Sequence, residues 1–168
     1  MKVILYMATT ANGYIAKKNH ETPWSEEEWE SYADMVNSVG NIIIGWDTYE
    51  IMKDDQEFQK IGNPFTVVLT HKKIESSSNF AFVNSPSEAL ELLKNKGFKE
   101  TLIAGGSKLN SSFFKENLID EMYLDIEPFI FGSGINLFSD IDFDTKLKLL
   151  KTKHLSDETI QLHYSIVK

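Results

Sequence analysis

The feature that most constrains this chain is an alternation between two hydrophobic periods. Short, almost wholly apolar runs at 41–45 (NIIIG), 65–70 (FTVVLT) and 101–105 (TLIAG) are interleaved with stretches of helical periodicity at 25–39, 86–96 and 107–116. A run that is apolar on both sides of the pleat suits a strand covered on both faces, as in a parallel sheet. Alternation of such runs with helices selects an α/β architecture. Further strands are expected at 2–9, 80–83 and 121–131, and a short helix near Asp47. The last two runs, 146–155 and 159–167, follow each other with only SDE near the turn, which predicts a C-terminal antiparallel hairpin. The hairpin's first strand alternates imperfectly, as an edge strand can.

Helix boundaries carry their own signals. Ser25 followed by Glu28 has the capping-box spacing, and Ser85 precedes a helix that stops at Gly97. The 168 residues fit one domain, expected to span 1–168, and 42% apolar content can fill its core. The N-terminal apolar run has strand length, too short to span a bilayer. With no cysteine there is no disulfide framework or thiolate chemistry, and a cytoplasmic protein is expected. Net charge is −8 and all seventeen basic residues are lysine. That balance argues against nucleic acid as a partner, and no membrane partner is expected either. It also means that any anionic ligand must be held by backbone N–H groups, hydroxyls and lysines.

Ligands of open α/β sheets bind beyond the carboxyl ends of the strands. Three segments there carry chemistry. In IAGGSKL, Gly105 and Gly106 allow close backbone approach to a diphosphate, Ser107 is a candidate cap, and a helix N-terminus adds free donors; a plain tight turn fits the segment equally well. In VVLTHKK, Thr70, His71, Lys72 and Lys73 place hydroxyl and positive charge after a strand, as an extra phosphate would require; a solvated loop is the alternative. In NIIIGWDTYE, Gly45 leads into a short helix carrying Asp47 and Thr48, with Trp46 where a phosphate site calls for a cation.

One acid stands out. On the helix at 25–39, Trp29, Tyr32, Ala33, Val36 and Val39 share an apolar face, and Glu28 falls at its edge. A carboxylate between an apolar face and a cleft can carry a raised pKa and bind a heterocycle; a capping role is the competing reading. The four histidines show no metal-ligand spacing, so no metal is expected. No P-loop or Gly-x-Ser-x-Gly elbow occurs.

In combination these segments resemble the dihydrofolate reductase superfamily over nearly the whole chain. The matching elements are ANGYIA after the first strand, TPW at 22–24, GWDTYE, IAGGSKL, and LIDEMYLDIEPFIFGSGINLF. The last is similar to the branch containing the reductase domain of riboflavin biosynthesis. The resemblance implies a three-layer α/β/α fold with a mostly parallel central sheet. It implies an enzyme that transfers a hydride from NADPH to a small heterocycle, with 5-amino-6-(5-phosphoribosylamino)uracil reductase as the closest named activity. A pterin or dihydrofolate-type reductase, or a nucleotide-binding protein with little catalysis, are the alternatives.

By the same resemblance, Ala8 and Ile15 contact the nicotinamide through their backbones. Gly105, Gly106, Ser107 and Lys108 hold the diphosphate, with Gly45 and Thr48 opposite. Thr70, His71 and Lys72 meet the ribose 2′-phosphate. Trp24 lines the substrate cleft, and Glu28 stands near the place of the family's helix carboxylate, which hydrogen-bonds the pteridine. The two are the expected catalytic residues, and a homodimer is expected. Two departures stand out. Trp46 replaces the arginine of the cofactor motif, offering an indole that can stack on adenine. No arginine precedes the third main strand, near Pro64, where folate-type enzymes use one to bind folate's glutamate tail.

Overall fold

The computed structural model describes residues 1–139 and 142–168. In chain order its elements are β1 (Lys2–Thr10), β2 (Tyr14–Ala16), α1 (Glu26–Val39), β3 (Asn41–Gly45), α2 (Trp46–Asp54), α3 (Glu57–Lys60), β4 (Phe65–Leu69), β5 (Phe80–Val83), α4 (Pro86–Asn95), β6 (Glu100–Ile103), α5 (Ser107–Lys115), β7 (Glu121–Glu127), β8 (Ile135–Asn136), β9 (Leu147–His154) and β10 (Ile160–Ile166). Eight strands form one sheet in the order β5-β4-β3-β6-β1-β7-β10-β9. The first six are parallel; β10 runs antiparallel to both β7 and β9.

Strand alternation builds the two cores. Val3, Leu5, Ile43, Val67 and Ile103 pack with Leu90 and Leu93 of α4 and with Leu109 and Phe113 of α5. Their neighbours Ile4, Tyr6, Ile42, Ile44, Val68 and Leu102 pack on the opposite face with Val36 and Val39 of α1, Met52 of α2 and Phe58 of α3. The central strands are buried on both sides because helices cover both sides, which is why they read as continuous apolar runs. This is the α/β/α arrangement with a C-terminal antiparallel hairpin, and β9 is its edge strand.

The elements differ from the sequence reading in four places. The run at 121–131 is a strand only to Glu127, since Pro128 has no N–H to continue the ladder. Residues Tyr14–Ala16 pair with Ile135–Asn136 as a separate two-stranded sheet, too short to show a period. A one-turn helix, Glu57–Lys60, follows α2, after Gln56 in the left-handed region. α2 itself starts at Trp46, one residue before the expected Asp47.

α1 begins as its cap predicts. Ser25 Oγ accepts from the Glu28 N–H at 3.2 Å, and Gly40 closes the helix in the left-handed conformation. The capping box is not closed by Glu28, however. Glu127 of β7 takes that place: its carboxylate accepts from Ser25 N–H at 3.2 Å and from Ser25 Oγ at 2.8 Å. Glu28 is thereby released from the cap.

Candidate active site

The carboxyl ends of the parallel strands border a cavity of about 1000 Å³. Two helix N-termini meet in it. α2 follows Gly45 and α5 follows Gly106, and neither N-terminus has a side-chain cap. Ser107, expected as the cap of α5, is its first residue; Gly106 holds the cap position. Gly45 N–H donates to the Gly105 carbonyl at 2.9 Å, which ties the two loops together. A Cβ at Gly106 would lie 3.6 Å from Thr48 Oγ1, so that hydroxyl faces bare backbone. Uncapped helix starts leave N–H donors unpaired and carry the positive end of the dipole. Together they make an anion cradle, with Ser107 and Lys108 also on the cavity wall.

One flank of the cradle is built by the turn after β4. Thr70 Oγ1 accepts from Lys72 N–H at 3.1 Å, and Thr70, His71 and Lys72 all line the cavity. Lys72 Nζ lies 3.9 Å from the centre of the Trp46 indole. Trp46 in turn packs on Tyr49 and Phe82, with ring centres 5.4 Å and 6.5 Å away. The indole is therefore a floor under an ammonium group. Its Nε1 is buried and, among the described residues, has no hydrogen-bond partner. A cation on an aromatic face is held without an acidic partner that would neutralise it.

The other end of the cavity is aromatic and acidic. Trp24, Trp29 and Tyr32 line it, and Trp24 stacks on Phe131 at 6.2 Å. Glu28 faces it while only 5% exposed. Burial, reinforced by Asp125 and Glu127, pushes the Glu28 carboxyl up to about 8. Glu57 of α3 also lines this end, its pKa raised by burial and then by Asp55. Ala8 of β1 and Ile15 of β2, both buried, also line the cavity.

Of the residues selected from the sequence, Trp24, Glu28, Ala8, Ile15, Gly45, Trp46, Thr48, Thr70, His71, Lys72, Gly105, Gly106, Ser107 and Lys108 line one cavity, and Lys73 does not. Tyr6, Asp125 and Glu127, beneath the acidic end, were not selected. The usable signal was LDIE in β7, where two acids two apart fall on one face of a strand meant to be buried.

Residues 1–161 match the RibD C-terminal domain family. This chain belongs to that family. The RibD-family chain is 33% identical to the uncharacterized protein YwjB of Bacillus subtilis (strain 168), over 97% of each. In fold it is similar to Acinetobacter baumannii RibD, with a TM-score of 0.80 and 20% identity; the alignment covers 99% of this chain and 58% of that one. It is likewise similar in fold to Enterococcus faecalis dihydrofolate reductase complexed with NADP(H) and RAB-propyl, at a TM-score of 0.74 and 18% identity, covering 99% and 97%. These neighbours have the dihydrofolate reductase-like fold. No helix among the described residues is long and apolar enough to cross a membrane.

Within this RibD-family fold the residues present fit a nicotinamide dinucleotide. The anion cradle has bare glycine backbone where a diphosphate must approach, and an ammonium stands on Trp46 at its flank.

Proposed function

We propose that this protein is an NADPH-dependent reductase of a small heterocycle. The observation that carries the reading is the meeting of two uncapped helix N-termini at Gly45 and Gly106, in the same cavity as a buried, raised-pKa carboxyl. In this reading Gly105, Gly106, Ser107 and Lys108 bind the diphosphate, assisted by Gly45 and Thr48. Thr70, His71 and Lys72 bind the 2′-phosphate, with Trp46 as the support of Lys72. The Ala8 and Ile15 backbones face the nicotinamide. When bound, the cofactor supplies a hydride. The chain's own task is to hold a planar substrate between Trp24 and the α1 face, exclude water, and furnish a proton from Glu28.

Family membership makes 5-amino-6-(5-phosphoribosylamino)uracil the first substrate to try. Dihydropterins and dihydrofolate follow, supported by the acid-and-aromatic lining of the substrate end. The test is oxidation of NADPH at 340 nm with each substrate. Turnover with one of them supports the reading. Tight NADPH binding without turnover on any would instead favour a nucleotide-binding protein.

Assembly as a homodimer belongs to the same proposal. Leu149 and Leu150 of the edge strand β9 are 52% and 46% exposed, and Val167 beside it is 49% exposed. An open strand edge with apolar side chains is suited to pairing. Light scattering at micromolar concentration should return twice the 19.2 kDa chain mass; a monomer would remove this part.

A further inference from the structure

Three acids are buried together beneath the substrate end. Glu28, Asp125 and Glu127 are 5%, 0% and 1% exposed, and among the described residues none of them forms a salt bridge. Their hydrogen bonding is unequal. Asp125 accepts from the Tyr6 hydroxyl at Oδ2 and from Gln161 Nε2 at Oδ1, the latter at 2.9 Å. Glu127 accepts from Ser25 N–H, Ser25 Oγ and, at 3.3 Å, Thr159 Oγ1. The Glu28 carboxylate accepts none among the described residues and opens on the cavity. Donors aimed at a carboxylate favour its ionised form. Like charges packed together without a cation cannot all ionise freely, and the group without donors is the one that keeps its proton.

Resting on the reductase reading above, we propose that Asp125 and Glu127 are positioning residues that keep Glu28 a neutral acid at the cavity wall, ready to protonate the substrate. The division of labour follows from the fold. β7 lies next to β1 and carries Asp125 and Glu127 on the face that α1 covers. Tyr6 on β1, Ser31 on α1 and Gln161 on β10 close around Asp125.

Glu28 is faced by Asp125 and Glu127 from β7, by Tyr6 from β1 and by Tyr32 of its own helix, which also faces Glu57 of α3; Asp125 is faced in addition by Lys153 from β9. Burial raises Asp125 to about 6, against the lowering pull of the Tyr6 and Gln161 hydrogen bonds, so it is still ionised at neutral pH. Lys153, which pulls Asp125 down, lines a second, smaller cavity of about 220 Å³ together with Gln161.

The step balances simply. Reduction of a substrate C=N places a hydride from the reduced nicotinamide on carbon and leaves the π electron pair on nitrogen. The O–H bond of Glu28 breaks, an N–H bond forms, and Glu28 is left as a carboxylate that takes a proton back from water. Asp125 and Glu127 touch neither substrate nor cofactor. They make the neutral form of Glu28 the stable one between turnovers.

The test is direct titration of the Glu28 carboxyl by carbon-13 NMR on the cofactor-free protein, assigned by its loss in Glu28→Gln. Wild type should titrate near 8. Asp125→Asn should lower the midpoint by about one pH unit or more. Asp34→Asn, on the exposed side of the same helix, should leave it in place. An unmoved midpoint in Asp125→Asn, or a wild-type midpoint in the ordinary range near 4.5, overturns the proposal. Should Asp125→Asn not fold, Glu127→Gln is read by the same criterion. Failure of NADPH to bind would sink the reductase reading and leave this titration result standing.

Discussion

Lys72 stands on Trp46, its Nζ 3.9 Å from the indole centre. The pair explains why a tryptophan occupies a helix start that otherwise looks built for a cation. The cation comes from a different strand end, and the indole fixes its height above the cavity floor. Lys72→Met should weaken NADPH by roughly ten- to a hundredfold while changing NADH little, since a charge-assisted bond to phosphate is worth about 1.5–3 kcal/mol. Trp46→Leu should reduce the same preference with Lys72 intact. Equal losses for both dinucleotides in Lys72→Met would place the 2′-phosphate elsewhere.

The glycines at the cradle should separate by variant. Gly106 has a negative φ of −81°, and a Cβ there meets only ordinary contacts. Gly106→Ala should therefore fold normally and lose dinucleotide affinity by about tenfold or more through a clash with the ligand. Gly105 has φ +85°, and a Cβ would press on Met7 Sδ at 3.3 Å. Gly105→Ala should cost about 1–3 kcal/mol of stability, read by urea denaturation.

Much of this was legible from sequence because the signals were local. Gly-Gly before a helix, Thr-His-Lys after a strand and Gly-Trp-Asp-Thr at a helix start each announce a strand end. An open α/β sheet brings strand ends together. The Ser25 cap was legible for the same reason. What closed the cap was not, because Glu127 is a hundred residues away and only the β1–β7 pairing brings it to Ser25. Glu28 shows the consequence. Its sequence spacing fits a capping box, and a long-range competitor for the cap leaves it facing the cavity. The β2–β8 pair lacked any readable period because each partner is two or three residues long.

The swapped cap makes a stability prediction. Ser25→Ala removes the acceptor for Glu28 N–H and one of the two donors that Ser25 gives to Glu127. The other donor, the Ser25 backbone N–H, survives the substitution, so the loss should be about 1–2 kcal/mol. Glu28→Ala should leave the cap intact. Circular dichroism of urea unfolding separates the two; a larger loss in Glu28→Ala would restore the ordinary capping box.

The raised carboxyl of Glu28 makes a pH prediction with a definite sign. Its folded pKa of about 8 lies above the ordinary 4.5, so between these values the native state binds more protons than the unfolded one. The stability this group contributes is complete below about 4.5 and is lost as pH rises through about 8. Relative to Glu28→Gln, wild type should lose on the order of 2–4 kcal/mol between pH 5 and pH 9. Asp125 acts with the same sign in a lower window, which is why the comparison uses the single variant. Parallel stability curves for the two proteins would mean that Glu28 is solvated.

The central claim is that the cavity between Gly45 and Gly106 binds a nicotinamide dinucleotide. Trp24 and Trp46 both line that cavity, so their fluorescence should report binding directly. Titration with NADPH and NADH should give saturable quenching, at micromolar concentration for NADPH and higher for NADH, reversed by NADP⁺. Absence of saturable quenching by either dinucleotide up to millimolar concentration would contradict the account.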